Sequence, residues 1–290
     1  MHRSKTLTLA AALLAPLALG ADFSGAQALE YTKALVAFGP RPAGTPALQK
    51  TQDYIVRQLK AQGWTVTEDA FPARTPAGVL QMKNIIASRK GTNGKAVVVT
   101  GHYDTKRFPF KFVGANDGGA SGGLLLEMAR ALKDRPFKSD VYLVFFDGEE
   151  AVRDWTSTDS LYGSRHLAEK WQKDGTNARI TGLINVDMIG DRDLHVVSEM
   201  YSSEPLRRLL WQVAAQLGEA KRFDGQELPI EDDHVPFLRL GVRALDLIDF
   251  EYGPRHAWWH TTEDTVDKLS ADSLQAVGKV VAETLRRLDQ

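Results

Sequence analysis

Residues 141–155 read VYLVFFDGEEAVRDW. Val141 to Phe146 is a short apolar run rich in β-branched and aromatic side chains, bounded by Asp140 and Gly148. Such a run predicts a buried strand of a parallel sheet. It stops at Asp147-Gly148 and delivers two adjacent carboxylates, Glu149 and Glu150. Open α/β sheets bind their ligands beyond the carboxyl ends of the strands, so this pair predicts a site. Taken alone it also reads as a solvated acidic turn, and the other strand ends decide between the two.

Working outward, Ala96 to Thr100 (AVVVT) is a second buried strand, followed at once by Gly101-His102-Tyr103-Asp104. A loop then carries Asn116-Asp117-Gly118-Gly119 into a strongly apolar helix, Ser121 to Leu132. After the acidic pair, residues 151–163 look irregular and 164–173 helical. Thr181 to Val186 is a strand ending in Asp187, and Leu194 to Val197 reads as a further strand. Pro205 to Leu217 is an amphipathic helix, and Glu231-Asp232-Asp233-His234 opens a short one before Gly241. Val242 to Ile248 is a strand, from which a long loop runs to Trp258-Trp259-His260. Ser270 caps a last helix with Leu274, Val277, Val281, Leu285 and Leu288 on one stripe.

Upstream, Thr45-Pro46 opens an amphipathic helix stopped by Gly63. Trp64 to Ala70 and Asn84 to Ser88 are two strands on either side of a turn at 75–78, read as antiparallel. Strands alternate with helices from residue 96 onward. The fold class is therefore α/β, a single domain with a mixed, mostly parallel central sheet flanked by helices.

Composition limits the function. With 36 basic and 37 acidic residues the net charge is −1, which gives no footprint for nucleic acid or an anionic membrane. Residues 1–21 have a basic start (His2, Arg3, Lys5), an apolar stretch from Leu7 to Leu19, and small residues at the end. This pattern predicts a cleaved signal peptide, an exported protein (periplasmic or secreted), and a mature chain of residues 22–290 that does not span a membrane. There are no cysteines, so a thiolate nucleophile is excluded and any metal must be held by His, Asp or Glu.

Asp117, Glu149, Glu150, Asp187 and His260 all follow strand ends, as does His102. Each alone has a plain reading: a core histidine, a turn-forming aspartate, packing beside tryptophan. Together, carboxylates and imidazoles at one sheet edge are the donor set that suits zinc without thiolates. In such a turn one carboxylate can bind metal while its neighbour acts as acid or base. Trp155 and Trp259, flanking the acids and His260, would wall the pocket with apolar surface; Trp64 and Trp211 read as core.

At this point the chain resembles a known family. Phe145 to Ala151, Trp155, and Asp159-Ser160-Leu161-Tyr162-Gly163-Ser164-Arg165-His166-Leu167-Ala168 resemble the animal-type glutaminyl-peptide cyclotransferases of the zinc exopeptidase superfamily. His102 to Lys106, Val113 to Asp117, Asp232 to Leu238 and Trp259-His260-Thr261 match in order and spacing, and the likeness spans about residues 30–288. It implies a zinc-aminopeptidase-like fold and one zinc per chain held by Asp117, Glu150 and His260. It implies Glu149 as the proton-transfer residue, in an acid network with Asp187 and Asp232, and Trp155 and Trp259 as the residues that hold the substrate. The implied partner is a peptide or protein N-terminus bearing glutamine, and the implied assembly a monomer. Departures are a longer 248–257 segment, Glu231 where the animal enzymes resemble one another in having glutamine, and the missing cysteines.

Two rivals follow from the same residues. A two-zinc aminopeptidase would use His102, Asp117, Glu150, Asp187 and His260. A catalytically dead binding module would capture peptide N-termini, but it has no need of Glu149 beside a zinc ligand.

Overall fold

The computed structural model describes residues 22–290; the signal-peptide reading of residues 1–21 lies outside the described residues. Helices α1 (Gly25–Val36) and α2 (Pro46–Ala61) lead into a long hairpin, β1 (Thr65–Thr75) and β2 (Gly78–Arg89). Then follow β3 (Ala96–His102), α3 (Ser121–Leu132), β4 (Asp140–Phe146), α4 (Tyr162–Lys173) and β5 (Ile180–Asp187). The chain ends with β6 (Ser198–Glu199), α5 (Glu204–Gln216), β7 (Glu227–Leu228), α6 (His234–Arg239), β8 (Ala244–Ile248) and α7 (Ala271–Leu288). Thr45 caps α2 through Leu48 N, and Ser270 caps α7 through Asp272 N.

The main sheet runs β1-β2-β4-β3-β5-β8. β1 and β2 are antiparallel, as is β2 with β4, while β4, β3, β5 and β8 are mutually parallel. The α/β reading and the antiparallel start are both borne out. Alternation along the strands explains helices on both faces. Val97, Val99, Leu143, Phe145, Ile184 and Leu245 join the core that contains α1, α2, α3, α5 and α7. Val98, Val144, Phe146 and Leu183 face the other way, onto Leu167, Trp171 and Phe237 of α4 and α6. Each buried Leu, Val or Phe in these layers contributes about 1.5–3 kcal/mol relative to exposure. Because the four central strands are parallel, their carboxyl ends form one edge, and every site residue lies on or just beyond it.

Two expectations are corrected. Leu194 to Val197 is not a strand: Leu194, Val196 and Val197 are buried, but Val196 N and Val197 N bond separately to Arg222 O and Ile248 O. The short strand falls one step later, at β6, and pairs with β7 in a separate two-stranded sheet. Burial, not a ladder, had made that run apolar. The second is α1, absent from the sequence reading. Its buried positions are Gly25, Ala28, Thr32 and Leu35, so close helix packing replaces the apolar periodicity that would mark it.

Candidate active site and metal centre

The turn after β4 brings the acidic pair to the sheet edge. Gly148 has φ +65, which favours glycine, and a Cβ there would stand 2.5 Å from Met82 Sδ and displace that side chain. Asp147 is buried and takes hydrogen bonds from Lys83 N (2.8 Å) and Gln52 Nε2 (3.3 Å), fixing the turn onto β2 and α2. The segment 159–163 braces it from the other side. Leu161 N donates to Glu149 O and Tyr162 N to Gly148 O, both at 2.8 Å. Asp159 accepts from Val152 N, Arg153 N, Asp154 N and the Tyr162 hydroxyl. The stretch that carried the family resemblance is thus the support of the loop bearing Glu149, Glu150 and Trp155.

Asp117 arrives by an unusual backbone. Gly114 (φ +50) and Gly118 (φ +77) flank it, and a Cβ on Gly118 would stand 2.4 Å from Asp104 O. His260 is itself left-handed, at φ +55, a strained setting for a residue with a side chain. Its ring stacks on Trp259 at 4.1 Å and 18°, with the edges of Phe108 and Phe112 against it.

These elements converge. His260 Nε2 lies 3.1 Å from both Asp117 Oδ2 and Glu150 Oε1. Ligand atoms of Asp117, Glu150 and His260 all lie within 4.8 Å of one another. A second such group, His102, Asp117 and Asp187, shares Asp117. His102 Nε2 is 3.1 Å from Asp187 Oδ1 and 3.3 Å from Asp117 Oδ1, and its Nδ1 is 3.4 Å from Asp104 Oδ1. Glu149 stands on the Nδ1 side of His102, with Oε2 at 3.8 Å. Asp187 and Asp232 line the same cavity, of about 460 Å³, whose outer wall is Trp155, Trp259 and Phe250.

The first group fits a divalent cation. Its donors are two buried carboxylates and an imidazole, a set that suits zinc. Asp117 Oδ2 is buried with no hydrogen-bond partner, as an oxygen aimed at an ion would be. The two carboxylates, against the effect of burial, raise His260 to about 10, and a bound cation would take the place of that proton. Asp117 is held well below the usual carboxylate range: burial pushes it up, but the adjacent His102 and His260 imidazoles prevail.

The acids behind the group behave differently. Burial pushes Glu149 well above its ordinary value; Glu150, Asp232 and Asp233 add to this while His102 opposes it. Burial also raises Asp187, to about 6, with His102 opposing. Asp233, next to Asp232 and hydrogen-bonded to it through its backbone N–H, is raised well above the carboxylate range by burial and then by that neighbour.

All nine residues singled out from the sequence meet at this edge, eight of them lining the cavity and His102 behind it. Several others were missed. Lys106 lines the cavity, with N 3.1 Å from Glu150 Oε1 and Nζ 3.7 Å from Glu150 Oε2. Its place four residues after His102 was the available signal. Arg41 is fully buried and donates to the carbonyls of Gly39, Tyr103, Val113 and Gly114. Backbone partners leave no mark in sequence, and nothing pointed to it.

The fold and this edge are of the zinc exopeptidase-like kind, and the chain belongs to peptidase family M28, whose model matches residues 84–285. The chain is 33% identical over 273 residues to a glutaminyl-peptide cyclotransferase of Drosophila melanogaster, covering 84% of this chain and 76% of that one. A crystal structure of an Acidobacteriales bacterium glutaminyl cyclase superposes with TM-score 0.91 at 40% identity, covering 98% and 99% of the two chains. A Zn-dependent exopeptidase from Parabacteroides distasonis superposes with TM-score 0.81 at 27% identity, covering 93% and 99%. Within family M28 the chain is an enzyme of the glutaminyl-peptide cyclotransferase kind.

Proposed function

We propose that the mature chain, residues 22–290, is exported and converts the N-terminal glutamine of peptides or proteins to pyroglutamate, using one zinc ion and Glu149 as proton carrier. The observation that carries this reading is the placement of Glu149 beside, but outside, the group formed by Asp117, Glu150 and His260. Likeness to glutaminyl cyclases and to a Zn-dependent exopeptidase supports the substrate and the metal.

The reaction is intramolecular. The substrate's α-amine nitrogen bonds to its own side-chain amide carbon, the carbon–nitrogen bond of that amide breaks, and ammonia leaves. Asp117, Glu150 and His260 would hold the zinc ion, whose chemistry there would be Lewis-acid polarisation of the amide carbonyl. Glu149 takes the proton that the amine gives up and returns it to the departing nitrogen. A carboxyl raised by burial and by neighbouring acids suits both halves of that task. Asp187 and Asp232 act through it, as the charges that surround it in the cavity. Trp155 and Trp259 hold the aliphatic part of the side chain and exclude water. The nucleophile is tethered to its target, so fixing the conformer supplies much of the rate.

The group of His102, Asp117 and Asp187 is what would favour a two-zinc aminopeptidase. Against it stands the likeness to glutaminyl cyclases, 40% identical in the Acidobacteriales bacterium structure against 27% in the Zn-dependent exopeptidase. An amine-counting assay separates the readings. Cyclisation of a glutamine-initiated peptide consumes a primary amine and releases ammonia in equal amount. Rising primary amine, with a new N-terminus, would overturn the proposal in favour of hydrolysis.

A further inference from the structure

The loop that carries Asp117 is gripped by two buried side chains, Arg41 and Asp264. Arg41 takes its carbonyls, with Nη1 2.7 Å from Val113 O and Nη2 3.0 Å from Gly114 O. Asp264 takes its N–H groups: Oδ1 accepts from Asn116 N at 2.8 Å and Oδ2 from Asp117 N at 3.2 Å. Asp264 is fully buried and follows His260 by four positions, so it belongs to the segment that delivers another member of the ion-binding group. Its remaining partner is Tyr252, whose hydroxyl donates to Oδ1 at 2.8 Å.

Tyr252 is the inner anchor of the 248–257 segment. It is fully buried, and its ring meets Trp258 edge-on at 5.5 Å and 77°. The next residue, Gly253, donates to Asp191 Oδ2 at 3.1 Å. The outer part of the segment carries Phe250 and His256, which pack against Trp259 at 5.2 Å and 4.8 Å. One segment therefore shapes the mouth of the cavity at one end and touches the brace of Asp117 at the other.

We propose that Asp264 is the positioning residue for Asp117, and that Tyr252 passes the placement of the 248–257 segment to it, so that the cavity mouth and the ion-binding carboxylate are set together. This rests on the reading of Asp117 as a zinc ligand. Outer partners of metal ligands change metal affinity about 10–100-fold when removed. Asp264 acts on the backbone of Asp117 and Tyr252 acts on Asp264, so the effect must appear in ion retention and not only in turnover.

The test is zinc competition against a chromophoric chelator, with melting temperature measured alongside. Wild type, Tyr252→Phe, Asp264→Asn and the double variant are compared. Tyr252→Phe keeps the ring and its contact with Trp258, so it guards against a variant that fails to fold. The expected result is a zinc Kd raised about 10–100-fold in Asp264→Asn and about tenfold in Tyr252→Phe. The double variant should be no weaker than Asp264→Asn, because Tyr252 acts through that carboxylate. Wild-type affinity in both single variants, with only the melting temperature lowered, overturns the positioning role. Additive losses overturn the coupling between loop and ligand. Wild-type chain that binds no zinc instead overturns the ligand reading itself, a separate and recognisable outcome.

Discussion

Replacing Glu149 by glutamine isolates the proton-transfer role from every other duty at this site. The substitution keeps size and removes only the ability to carry a proton and a negative charge. General acid–base catalysis contributes about 10²–10⁴-fold, so kcat should fall by that factor, about 3–5 kcal/mol of barrier. The structure says what should not change. Glu149 is not part of the group formed by Asp117, Glu150 and His260, so zinc content should remain that of wild type. The Glu149 carboxylate sits among Glu150, Asp232 and Asp233, which oppose its charge, so losing that charge should not lower the melting temperature. Glu150→Gln is the contrasting variant: it removes one of the three proposed ligands and should lose zinc and activity together. The assay is ammonia release from a glutamine-initiated peptide, with zinc measured on the same sample. Zinc lost along with turnover in Glu149→Gln would show that the two glutamates have exchanged roles. Turnover within about tenfold of wild type would remove Glu149 from the chemistry altogether.

Other outcomes follow from single observations. Gly118→Ala should unfold or severely destabilise the chain: at φ +77 a side chain costs about 1–2 kcal/mol before its Cβ meets Asp104 O at 2.4 Å, and thermal melting reads this directly. Trp155→Ala should raise KM about tenfold, about 1.4 kcal/mol, with little change in melting temperature, because this cavity-wall side chain is 41% exposed and supports no core. Buried Glu199 is pushed up by burial, but His234, three backbone N–H groups and the Ser202 hydroxyl prevail and hold it at about 2. Its ordinary value is 4.5, so its folded pKa is depressed. Its contribution, up to about 3 kcal/mol, is therefore complete above about pH 4.5 and lost as pH falls toward 2. The stability gap between wild type and Glu199→Gln in urea should shrink over that window, and a gap independent of pH would contradict the assignment.

The parts of the fold read most directly from sequence were those whose side chains answer to one dominant force. Val141 to Phe146 and Ala96 to Thr100 lie in strands buried on both faces, and their β-branched and aromatic runs are what a central strand requires. Once four central strands are parallel, residues as distant as Asp117, Glu150, Asp187 and His260 must share an edge, so the site was legible without any local ligand spacing. What stayed hidden was set by backbone partners. Arg41 spends its whole guanidinium on carbonyls, and Asp264 accepts from two main-chain N–H groups and one hydroxyl. Such bonds depend on where the chain passes, not on a pairing of residue types. Helix α1 escaped for a related reason: glycine, alanine and threonine line its buried face because its neighbours approach closely. Leu194 to Val197 misled because burial alone produces the same apolar run as a ladder.

The central claim is that this site closes a ring within one glutaminyl residue and keeps water out of the chemistry. Incubating the purified chain with a glutamine-initiated peptide in H₂¹⁸O, followed by mass spectrometry, tests it most directly. The account predicts one product, lighter by about 17 Da, the mass of ammonia, and free of label. Free glutamine, or any product carrying ¹⁸O, would contradict it.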